Sequence, residues 1–163
     1  MLASVTSCAL AGLDGTLVRV EVDIHPGLPR TTIVGLPDPA VRESKDRLGA
    51  ALRNAGFVHP QAHVTVNLAP ADVRKEGPAY DLPIALGMLV ASGQLPADLE
   101  GSLAIGEMAL DGALRHTNGI LPVAVTARSW DKARRRWVPT VPGSMSRSAA
   151  VCSADSSSST RNT

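Results

Sequence analysis

The chain reads as an α/β (α+β) domain: a mostly antiparallel sheet with a crossover, and helices packed mainly on one face. Three observations predict this. Residues 3–35 alternate apolar and polar positions between turn signals. Residues 38–55 carry a capped amphipathic helix. A strand over His63–Leu68 then gives way, across a loop, to a helix that is apolar nearly all round.

Each element has its own signal. Val18, Val20, Val22 and Ile24 line one face of a strand, the loop Pro26-Gly27-Leu28-Pro29 follows, and Thr31–Val34 supplies the next strand. Three antiparallel strands are expected up to residue 35. Asp38 is placed as N-cap and Pro39 as first helical residue, with Val41, Leu48, Leu52 and Ala55 at helical spacing and Gly56 as the stop. Arg42/Asp46 and Glu43/Arg47 form i,i+4 pairs on its outer side. Residues 69–78 are a loop, and Asp81–Ser92 is a helix that must be buried centrally and ends at Gly93. Leu103–Glu107 is a strand, Asp111-Gly112 a hairpin turn before Ala113-Leu114-Arg115, and residues 119–129 a last helix. The folded domain is expected over residues 1–130. Residues 131–163, Arg- and Ser-rich and without hydrophobic periodicity, are expected to be a disordered tail.

Composition narrows the function. The 163 residues are 44% apolar but only 2% aromatic, so Ala, Val, Leu and Ile must build the core. A net charge of +1 gives no general attraction to nucleic acid or anionic lipid. No apolar run reaches the length of a membrane span, and the N-terminus lacks the basic region of a signal peptide. Two cysteines, Cys8 and Cys152, are too few for a disulfide framework and fit a cytoplasmic protein.

The segment Arg74-Lys75-Glu76-Gly77-Pro78-Ala79-Tyr80-Asp81 is the main candidate site. A Gly-Pro pair between a strand and a buried helix fixes a tight turn at a helix N-terminus, where free N–H groups can stabilise negative charge. Such a turn suits a nucleophile, but Ala79 follows it. Glu76, Asp81 and Glu107 can be drawn as acid/base partners. The plainer reading, a helix-capping Asp81 and solvated glutamates, is favoured because no nucleophile accompanies them. Asp23 and His25, two apart on one strand, lack a third ligand for a metal. The cluster Lys132–Trp137 is basic with an aromatic, and reads either as a nucleic-acid patch or as a solvated run.

The blocks Val20–Pro29, Thr32–Asp38, Val41–Ser44, Val66–Asp72, Lys75–Pro78 and Gly106-Glu107, in this order, resemble the N-terminal domain of the YifB/ComM family of bacterial Mg-chelatase-like AAA+ ATPases. The resemblance covers residues 2–130. It implies a fold similar to domain 2 of ribosomal protein S5 and to the proteolytic domain of Lon. It also implies a following ATPase module, which would bind ATP and Mg, and hexamers acting as DNA helicases in branch migration during natural transformation.

Matched to the Lon motif, the nucleophilic serine falls on Ala79 and its lysine on Leu121. Neither side chain can do that chemistry, so no peptidase activity is expected. No Gly-x-x-x-x-Gly-Lys-[Ser/Thr] loop is present, so no cofactor is expected in this chain. Truncation or a frameshift after Trp130 would account for the change of character there. The expected role is a non-enzymatic scaffold or oligomerisation domain, with Arg74 and Lys75 as contacts to a neighbouring subunit or to DNA. A stand-alone nucleic-acid-binding module and a Lon-like peptidase are the alternatives.

Overall fold

The computed structural model describes residues 1–95, 99, 102–130, 136–139 and 150–153, the last two segments as backbone only. Strands β1 (Leu2–Ala11) and β2 (Asp14–His25) form a long antiparallel hairpin, with Val5 opposite Val20 and Ala3 opposite Val22. Strand β3 (Arg30–Val34) leads into helix α1 (Pro39–Asn54), and β4 (His63–Ala69) follows. Helix α2 (Asp81–Ala91), β5 (Leu103–Ile105), the small hairpin β6 (Glu107–Met108) and β7 (Leu114–Arg115), and helix α3 (Ile120–Trp130) complete residues 1–130. Strands β8 (Arg136–Pro139) and β9 (Ala150–Ser153) come last.

The main sheet runs β3-β4-β2-β1-β5-β9-β8. It is mixed but mostly antiparallel: β3 pairs parallel with β4, and β1 with β5, while the other pairings are antiparallel. The expectation of three consecutive antiparallel strands therefore fails at the third. β4 intrudes between β2 and β3, because the α1 crossover returns the chain parallel to β3.

Two short strands fall within the stretch expected to be a tail. Trp137-Val138 and Val151-Cys152 lie in antiparallel strands, and β9 pairs with β5, so that Leu103 faces Cys152. The remaining residues of 131–163 lie outside the described residues.

Strand alternation divides the core. Val5, Val18, Val20, Val22, Val64, Val66 and Leu68 point to one face, where they meet Leu48 and Leu52 of α1 and Ile84 and Met88 of α2. Most of α2 is buried, as its all-round apolarity requires. Its Gly87 is a close-approach residue: a Cβ there would lie 2.5 Å from Val22 Cγ2. On the other face Val123 and Ala127 of α3 pack on Cys8, Leu103 and Ile105, with Leu17 of β2 beside them. Two of the three helices thus share a face, in keeping with the expected arrangement, and the third lies opposite.

Candidate functional site

Gly77 adopts φ 79°, ψ 170°, a backbone conformation that favours glycine, and Pro78–Tyr80 form a single 3-10 turn running directly into α2. The turn is tied on three sides. The Gly77 N–H donates to Asp38 Oδ2 at 3.1 Å, while Asp38 Oδ1 accepts from Val41 N at 2.8 Å and caps α1. One carboxylate thus joins the start of α1 to the Gly-Pro turn. Gly106 N donates to Ala79 O at 2.8 Å, and Leu82 N returns a bond to Gly106 O at 2.9 Å. The Asp81 N–H is taken by Pro78 O. The N–H groups of Gly77, Asp81 and Leu82 are therefore spent inside the protein, and the anion-stabilising role expected of this helix start loses those donors.

Ala79 and Tyr80 border a cavity of about 250 Å³, whose wall includes Cys8, Ile105, Glu107, Thr117 and Val123. Among the described residues, neither a serine nor a lysine lines it. The Cys8 thiol is buried, and desolvation pushes its pKa up against the opposing hydrogen bond from Thr126, so it stays protonated and a poor nucleophile. Burial also raises the Tyr80 phenol well above its ordinary value, and its hydroxyl faces Cys8 O at 3.4 Å. The Glu107 N–H donates to Thr117 Oγ1 at 3.3 Å.

The structure brings one of the two matched dyad positions to the cavity and leaves the other outside. Ala79 is on the wall, whereas Leu121 is 75% exposed and off it. Of α3, it is Val123 that reaches the cavity, two residues beyond the position that motif counting gave.

The two basic residues before the turn also part company. Arg74 is 67% exposed and pairs with Glu76 at 3.0 Å. Lys75 has no solvent-accessible surface: its backbone is held by Leu36 O and Asp38 N, and its Nζ donates to Pro70 O. Desolvation lowers its pKa against the pull of Asp72. Lys75 therefore offers no surface for the DNA or subunit contact expected of it, and Arg74 alone keeps that possibility.

Asp81 is corrected as well. Tyr80, with helical φ and ψ, occupies the cap position of α2, so the Asp81 carboxylate caps nothing. It is fully buried, accepting from Ser44 Oγ, from Arg47 Nε at 3.1 Å and Nη2 at 3.0 Å, and from Met108 N at 3.2 Å. Sequence reasoning missed this network. Its signal was Ser44, a polar residue inside the apolar stripe Val41–Leu48, which demands a buried partner. Asp23 and His25 meet at 3.2 Å, and His25 stacks obliquely on His63 with centroids 4.6 Å apart. No cluster of three metal-ligating side chains exists among the described residues. Nor is any described helix long and apolar enough to cross a membrane.

A mixed sheet with a Gly-Pro turn feeding a buried helix, and a cleft beside it, defines a class of α/β domain. Residues 20–140 match the family model described as subunit ChlI of Mg-chelatase. The chain belongs to this Mg-chelatase ChlI-like family. It is 47% identical over 128 residues to competence protein ComM of Haemophilus influenzae, covering 78% of this chain and 25% of that protein. It is 46% identical over 127 residues to the uncharacterized protein YifB of Salmonella typhimurium and to that of Escherichia coli, covering 77% of this chain and 25% of each. The chain thus spans about a quarter of the length of these curated relatives.

Proposed function

We propose that this chain is a non-catalytic scaffold and assembly domain of the kind that accompanies a Mg-chelatase-like ATPase. Any work on DNA belongs to an ATP- and Mg-dependent module outside this sequence. The observation that carries the reading is Ala79, the residue presented by the Gly77-Pro78 turn, on the wall of a cavity that no serine and no lysine lines among the described residues. A methyl group has neither lone pair nor proton to contribute to acyl transfer. The hydrogen bond that Gly77 N–H donates to Asp38, and those exchanged with Gly106, tie the turn down, as a structural joint requires. The ComM relative is named a competence protein; we place this domain in the cytoplasm, in the service of DNA processing. Arg74, exposed beside the turn, is the residue we assign to contact with a neighbouring subunit.

The test joins two measurements on the whole chain. Sedimentation velocity over a broad concentration range is expected to show self-association that weakens in Arg74→Glu. Incubation with unfolded casein and with ATP is expected to give neither cleavage nor phosphate release. A chain that stays monomeric at the highest concentration loses the assembly role, and casein cleavage abolished by a single substitution in the cavity restores a peptidase.

A further inference from the structure

We propose that the outer edge of β3 and the basic side of α1 form a docking groove for an acidic, extended polypeptide segment, which adds to the sheet as a further strand. β3 ends the sheet order, and no strand lies beyond it among the described residues. In a parallel pair the backbone groups of successive residues point alternately to the two sides. Arg30 N donates inward to Ala62 O at 3.3 Å, in step with the pairing of Arg30 with His63. Thr31 and Ile33 therefore direct their N–H and C=O groups outward, a spacing that an extended peptide matches and a phosphate backbone does not.

The side chains around this edge give the occupant its charge. A depression of about 440 Å³ lies between β3 and α1, lined by Arg30–Ile33 with Arg42, Lys45 and Asp46. Arg30, Arg42 and Lys45 are exposed, and none of them joins an ion pair among the described residues. The expected Arg42–Asp46 pair does not form, although the two lie one turn apart on α1. Three uncompensated cations against one carboxylate flank a strand edge able to read main chain. An alternating Glu-Val segment supplies both the anions and the backbone.

The experiment uses the whole chain and a fluorescent Glu-Val peptide of about ten residues, read by anisotropy at low salt. Binding is expected, weakened about 10-fold or more in three ways: by a Lys-Val peptide, by N-methylation of alternate residues of the Glu-Val peptide, and by Arg30→Glu/Arg42→Glu/Lys45→Glu. N-methylation changes the probe alone, so that comparison stands whatever the triple variant does to folding. Equal binding of the N-methylated peptide would mean adsorption by charge only and overturns the proposal. So does absence of binding at about 1 mM peptide. Tighter binding of a single-stranded oligonucleotide of about twenty nucleotides, lost in the same triple variant, would make the groove a nucleic-acid site and overturns it too.

Discussion

At the scale of single residues, Asp81 matters more to this structure than any residue of the supposed catalytic dyad. Its two oxygens are shared among a hydroxyl, a guanidinium and a backbone N–H, and the bond to Asp81 raises the Arg47 pKa further above an already high value. Asp81→Ala removes a buried acceptor and strands the guanidinium and the Met108 N–H. Because Arg47 keeps 25% of its surface exposed, water can repair part of the loss, and a cost of about 3 kcal/mol is expected. Asp81→Asn keeps the volume and one acceptor and should cost less. Equilibrium urea unfolding checks both; a loss under about 1 kcal/mol in the alanine variant would mean that the network contributes no more than a surface pair. His59 gives a pH dependence at the same scale. Its Nε2 is buried without a hydrogen-bond partner among the described residues, and desolvation, with Arg53 adding to it, lowers its pKa below the ordinary 6.5. The folded protein favours the neutral ring, so this contribution is complete above 6.5 and declines as pH falls below it, where the unfolded chain takes the proton first. The urea midpoint of the native protein should fall between about pH 7 and 5 by more than that of His59→Gln; parallel curves would show that the ring is solvated.

At the scale of elements, α1 is fixed at its start by the carboxylate that also holds the Gly-Pro turn. Asp38→Ala should therefore cost more than an ordinary cap, about 2 kcal/mol rather than 1, while Asp38→Asn keeps an acceptor for Val41 N and loses less. Thermal unfolding of the two variants separates the contributions: an asparagine variant as stable as the native protein would show that the bond to Gly77 carries nothing. Elements of this kind were legible in the sequence because their signals are local: Asp38-Pro39 at one end of α1 and Gly56 past the other, and Asp111-Gly112 in the β6–β7 turn. Pairing was not. Nothing in Thr31–Val34 says that β4, more than thirty residues on, will lie beside it and exclude β2, since strand partners are chosen by non-local packing. The site was half legible for the same reason. The Gly77-Pro78 turn announced itself. The burial of Lys75 and the partners of Asp81 depend on segments brought in from α1 and from the loop after β4.

At the scale of the whole molecule, the two faces of the sheet explain why the cavity cannot be rearmed by copying a motif. α2 belongs to the layer on one face, whereas α3 is seated on the other, with Val123 and Ala127 toward the sheet and Leu121 toward solvent. A lysine placed at residue 121 would keep its ammonium in water, where it is protonated and cannot serve as a base to a hydroxyl on residue 79. The double variant Ala79→Ser/Leu121→Lys is therefore expected to fold with near-native stability and to leave unfolded casein intact. Val123, 3% exposed and on the cavity wall, is the position from which an amine would reach the turn. Ala79→Ser/Val123→Lys would bury that amine, lowering its pKa by desolvation at a cost of several kcal/mol in stability. Gel assays of casein with both variants, alongside their urea midpoints, decide the matter. Serine-dependent cleavage by the variant carrying lysine at 121 would mean that α3 can turn its outer side to the cavity, and the separation of the two layers drawn here would be wrong.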